Sequence, residues 1–88
     1  MREHVHYEFN LGSSDIVKVE IDKQANVLLL DDVNYQKYRR GQQFQYFGGM
    51  RNKTPVLLKS PRTGHWHLVI DLGGARGTIR HSAAVISA

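Results

Sequence analysis

The segment Gly64-His65-Trp66-His67-Leu68-Val69-Ile70-Asp71-Leu72-Gly73-Gly74 constrains the fold more than any other part of the chain. Trp66, Leu68, Ile70 and Leu72 stand at every second position. In an extended backbone that spacing puts them on one face, with His65, His67, Val69 and Asp71 on the other. The only Trp of the chain lies on the apolar row, which makes it the expected core anchor. Gly64 opens this central strand and Gly73-Gly74 closes it.

The same alternation recurs on both sides of it. Val5, Tyr7 and Phe9 oppose His4, His6 and Glu8, as in a half-buried strand. Val17, Val19 and Ile21 predict a second strand over 16–22, and Val27-Leu28-Leu29-Leu30 a third. The short polar connection at 23–26 suggests that these two form a hairpin. The aliphatic run suits a strand covered on both faces. Character changes at Asp31-Asp32: an Asp to cap, Tyr35 and Tyr38 three apart, and Gly41 as a stop predict a short helix near residues 32–40. Gln43–Phe47 alternates as a fourth strand ended by Gly48-Gly49, with 50–54 as a loop or ragged strand. Pro55-Val56-Leu57-Leu58-Lys59 suits an edge strand, because Pro cannot donate to a ladder. Thr78–Ile86 reads as the last strand.

About seven short strands and one helical segment in 88 residues predict an all-β fold, a small antiparallel, jelly-roll-like β-sandwich. No connection is long enough for repeated βαβ crossovers. Residues 1–88 are expected to form this single domain. Such a small domain buries roughly 60–65% of the surface its unfolded chain exposes, so its core is thin.

Several segments together resemble one family. They are His6-Tyr7-Glu8-Phe9, the run from Val27 through Asn34-Tyr35, Tyr38-Arg39-Arg40-Gly41, Tyr46-Phe47-Gly48-Gly49, Ser60-Pro61 and the Gly64–Gly74 segment. In this order they are similar to the bacterial domain of unknown function 1883 family, over nearly the whole chain. The resemblance implies a compact β-rich domain found as short stand-alone proteins, and in a similar form beside Toll/interleukin-receptor domains. It implies no activity, so it transfers no catalytic residue.

The residues leave three functional readings open. In the first, a non-catalytic module binds a ligand or a protein partner. Aromatic and cationic side chains interleave at Tyr35, Tyr38, Arg39 and Arg40, a mixture that can stack rings and hold anions. Arg76, in the glycine-rich loop 73–77, could join an anion-binding nest of backbone N–H groups. This reading needs an exposed aromatic-basic patch and no buried titratable cluster. In the second, the protein holds a divalent metal through two His-x-His pairs, His4 with His6 and His65 with His67. Imidazoles two apart on a strand share a face and suit zinc, nickel or copper. This reading needs one pair within a few ångström of the other. In the third, the chain self-associates through an edge strand. No cofactor is otherwise expected.

Catalysis has little support. Cysteine is absent, which removes thiolate chemistry and disulfides, and the serines lack a nucleophile context. An enzyme is therefore not expected. The net charge of +4 is too small to argue for nucleic acid. The start of the sequence lacks an apolar stretch, and the longest aliphatic run is far too short for a bilayer, so a cytoplasmic protein is expected.

Overall fold

The computed structural model describes residues 4–73 and 77–87. Its strands are β1 (Val5–Leu11), β2 (Ile16–Ile21), β3 (Ala25–Leu30), β4 (Phe47–Arg51), β5 (Val56–Lys59), β6 (Gly64–Asp71) and β7 (His81–Ile86). One helix, α1 (Asp32–Arg39), lies between β3 and β4. The strands form two sheets, β1-β6-β3-β4 and β5-β2-β7, with every pairing antiparallel. This is the expected all-β sandwich with one short helix.

β6 is interior to the larger sheet, and its registers show why. Trp66, Leu68 and Ile70 stand opposite Phe9, Tyr7 and Val5 on one side. On the other side, Leu68 and Ile70 stand opposite Leu29 and Val27. These apolar rows face Val17, Val19 and Ile21 of β2 and Val56 and Leu58 of β5. Trp66 is 1% exposed at the centre of that core. The reverse face of β3 and β6 is covered as well. Leu28, Leu30 and Val69 pack there under Tyr35 and Tyr38 of α1, with Phe44 at the margin. β3 is therefore apolar on both faces because a helix lies over the one that turns away from the second sheet.

Three expectations change. β2 and β3 do not form a hairpin: β2 is central in the small sheet and β3 belongs to the large one. The residues after β2 remain tied to the β7 side, since Asp22 N–H donates to the Arg80 carbonyl at 3.2 Å and Arg80 N–H to Asp22 Oδ1 at 2.9 Å. The chain then crosses between sheets, so the two apolar rows face each other across the core. Second, the fourth strand is Phe47–Arg51, not 43–47, and Gly48-Gly49 lie inside it. Gly48 adopts φ 113°, and a Cβ there would sit 2.2 Å from the Val27 carbonyl oxygen. Gly48 permits a close approach of β4 to β3, and neither glycine ends the strand. Phe44 serves instead as an edge-on partner of Tyr38, with ring centroids 5.3 Å apart. Third, the last strand starts at His81, three residues later than its sequence pattern suggested. β5 is an edge strand, as its Pro55 implied. No helix among the described residues is long and apolar enough to cross a membrane.

Candidate metal centre

The polar rows of β1 and β6 share the outer face of the large sheet. Glu8 stands opposite His67, Asn10 opposite His65, and His6 opposite Val69. Glu8 thus becomes a direct neighbour of His67 and a diagonal one of His65, and His6 a diagonal neighbour of His67. The first turn of α1 stands above them. Its two adjacent acids divide the work there. Asp31, in extended conformation (φ −78°, ψ 178°), caps the helix by accepting from the Asn34 N–H at 2.8 Å. It also pairs with Arg62 at 2.9 Å. Burial raises the Asp31 proton affinity, but the Asn34 and Arg62 hydrogen bonds outweigh it and hold the carboxyl below its ordinary value. Asp32 is free of capping duty and reaches the histidines.

His67 is the hub, with its side chain 7% exposed. Its Nε2 is 2.6 Å from Asp32 Oδ1, and its Nδ1 is 2.8 Å from His6 Nε2. Glu8 Oε1 lies 3.9 Å from the same Nδ1. His65 joins from the next outward position of β6: Nδ1 is 2.8 Å from Asp32 Oδ1, and Nε2 is 3.2 Å from Glu8 Oε1. The His6 and His67 rings are near-parallel at 15°, with centroids 5.0 Å apart, a spacing that fits an edge-on N-to-N contact. Tyr35 lies over both rings, 4.2 Å from His6 and 4.4 Å from His67.

Two ligand groups result: His6, Glu8 and His67, and Asp32, His65 and His67, each with its donor atoms within 4.8 Å of one another. Tetrahedral zinc with N and O ligands near 2.0–2.1 Å separates donor atoms by about 3.3 Å. The contact at 2.8 Å must widen and the one at 3.9 Å must close, each by roughly half an ångström. His6 and Glu8 are exposed side chains and can make that movement. Electrostatics favours the ligand forms. Burial and the neighbouring His67 hold His6 below its ordinary value of 6.5, against an opposing pull from Glu8. Hydrogen bonds from His67 and His65 hold Asp32 below 3.8. Burial pushes the Tyr35 hydroxyl above 10.0, so it stays protonated over the cluster.

The other expected site residues fall elsewhere. His4 belongs to neither ligand group: its Nε2 is 3.1 Å from the Tyr35 hydroxyl, and its ring stands edge-on to Tyr38 at 5.0 Å. Tyr35 and Tyr38 are 6% and 3% exposed, so they cover the sheet rather than line an open aromatic surface. Tyr38 donates to Asp71 Oδ2 at 2.6 Å, and Asp71 Oδ1 accepts from Asn26 and from the Gly73 N–H, both at 2.9 Å. Asp71 is thus a satisfied buried anchor. Arg39 and Arg40 are exposed, and Arg39 stands 5.9 Å from the Tyr35 ring centroid. They line a shallow cleft of about 440 Å³ with Gly41, Gln43 and Phe44. Arg76 lies outside the described residues. Glu8 and Asp32 were not among the expected ligands. Glu8 had a legible signal, since it shares the His4–His6 row. Asp32 had none, because only the docking of α1 on β6 brings it to the histidines.

Fold and site together define a small two-sheet β-sandwich with a histidine–carboxylate cluster under one helix. The chain belongs to the family described as domain of unknown function (DUF1883), whose family model matches residues 1–88. No curated protein and no solved structure matches it.

Proposed function

We propose that this protein is a non-catalytic binding module whose ligand is a divalent transition-metal ion, held between β1, β6 and the first turn of α1. The observation that carries this reading is the 2.8 Å approach of His6 Nε2 to His67 Nδ1 across two strands, with the Asp32 carboxylate 2.6 Å from the other His67 nitrogen. That is the proximity the two His-x-His pairs had to show. The aromatic-basic alternative needed exposed rings, and Tyr35 and Tyr38 are buried. Imidazole and carboxylate donors without thiolate suit zinc, nickel or copper.

Calorimetric titration of the purified, chelator-treated chain with zinc tests the proposal. Saturable binding at stoichiometric metal is expected, with a rise in melting temperature. At one hundred times the dissociation constant the added stability is about 2.7 kcal/mol. For a domain of this size that moves the midpoint by roughly 10 °C or more. The His6→Ala/His65→Ala double variant should show neither effect. Absence of binding by zinc, nickel and copper to the unaltered chain would overturn the reading.

A further inference from the structure

His67 offers two ring nitrogens, and they face different ligand groups. Nδ1 faces His6 and Glu8, while Nε2 faces Asp32 beside His65. A single ion can use only one of them. The two sides match in chemistry: each supplies one exposed imidazole, one exposed carboxylate and one nitrogen of the shared ring. The shared ring is held in place. Its side chain is 7% exposed, and Tyr35 stacks on its face at 4.4 Å with planes 7° apart. It cannot swing both nitrogens to one side.

We propose that the site is dinuclear, with His67 bridging two divalent ions, one at each ring nitrogen. This rests on the metal-binding reading above and deepens it. The first ion binds His6, Glu8 and Nδ1; the second binds Asp32, His65 and Nε2. Water completes each coordination sphere. When the second ion arrives, the N–H bond on its nitrogen breaks and the proton leaves to solvent. The ring then bridges as an imidazolate, and no electron changes hands. Ions at opposite nitrogens of one imidazole lie about 6 Å apart, given metal–nitrogen bonds near 2.0 Å. Three anionic groups, Glu8, Asp32 and the imidazolate, balance most of the added charge. Copper(II) is the most informative probe. It binds such donors more tightly than the other first-row divalent ions, and its unpaired electrons report on the bridge.

The test is a copper(II) titration at neutral pH followed by electron paramagnetic resonance, with stoichiometry from native mass spectrometry. The first equivalent should build the signal. The second should bind and diminish it, because the two centres couple through the ring. His6→Ala and His65→Ala, both at exposed positions, should each bind one ion with an ordinary uncoupled signal. Circular dichroism confirms that these variants remain folded. Two bound ions with additive signals would overturn the bridge. One bound ion in the unaltered chain would overturn the dinuclear site while leaving the metal-binding reading standing. No bound copper would overturn the dinuclear site, and the same result with zinc and nickel would overturn the metal-binding reading too.

Discussion

At the scale of the residue, His6 should make folding and the proposed metal binding respond to pH in the same direction. Its proton affinity is lower in the folded chain than the ordinary 6.5, because burial and His67 oppose its charge. The unfolded chain therefore binds that proton more readily. The stabilisation is complete above the unfolded value and is lost as pH falls through the lowered one. Asp32 acts in the same sense at lower pH, since its value is depressed from 3.8. The urea midpoint should fall between pH about 7.5 and about 5, and the fall should shrink in His6→Ala. A midpoint that rises on acidification would contradict this account. Metal affinity should weaken over the same interval, because the ligand nitrogen must be free of its proton. Tyr35 can be dissected likewise. Tyr35→Phe keeps the ring over His6 and His67 and loses only the hydroxyl contact with His4. It should retain metal affinity within a factor of a few. Tyr35→Ala should cost about 3–5 kcal/mol, by chemical denaturation, because it empties the space between helix and sheet.

At the scale of the element, α1 and β4 each depend on one backbone feature. Asp31→Ala removes the cap on the Asn34 N–H and should cost about 1 kcal/mol. Gly48 and Gly41 make a controlled pair, since both adopt positive φ, 113° and 72°. A Cβ at Gly41 meets nothing within 4 Å, whereas one at Gly48 would lie 2.2 Å from the Val27 carbonyl. Gly41→Ala should therefore cost about 1 kcal/mol of conformational strain alone. Gly48→Ala must also push β4 from β3 and should cost clearly more. Equal losses in thermal denaturation would show that the β3–β4 approach is not tight.

At the scale of the whole molecule, the candidate centre ties a helix to a sheet. Asp32 comes from α1, and the imidazoles and Glu8 come from β6 and β1. An ion bridging them should slow amide hydrogen exchange in α1 far more than in the small sheet β5-β2-β7. The helix is short and otherwise rests on Tyr35, Tyr38 and Phe44, so local opening is its natural route to exchange. Uniform protection across both sheets would place the ion elsewhere. Trp66→Ala acts on the opposite side of β6, in the core between the sheets. It should cost about 3–5 kcal/mol, a large share of the stability of so small a domain.

Period-two patterning is a local property. It therefore exposed β1, β2 and β6, the inward Trp66 row and the outward histidine rows. The double-sided burial of β3 and the cap–Gly41 limits of α1 were equally legible, because run length and capping chemistry are local too. Strand partners were not. Whether β2 pairs with β3 or crosses to the other sheet depends on which apolar rows bury one another, and on the Asp22–Arg80 contacts between residues far apart in sequence. Gly48-Gly49 reads as a turn in sequence because the demand on Gly48 comes from a neighbouring strand's carbonyl. The cluster divides the same way. The face shared by His65 and His67, and that shared by His6 and Glu8, follow from alternation alone. The register that sets Glu8 against His67, and the helix docking that brings Asp32 to both imidazoles, exist only once the sheet is assembled and its apolar outer patch is covered.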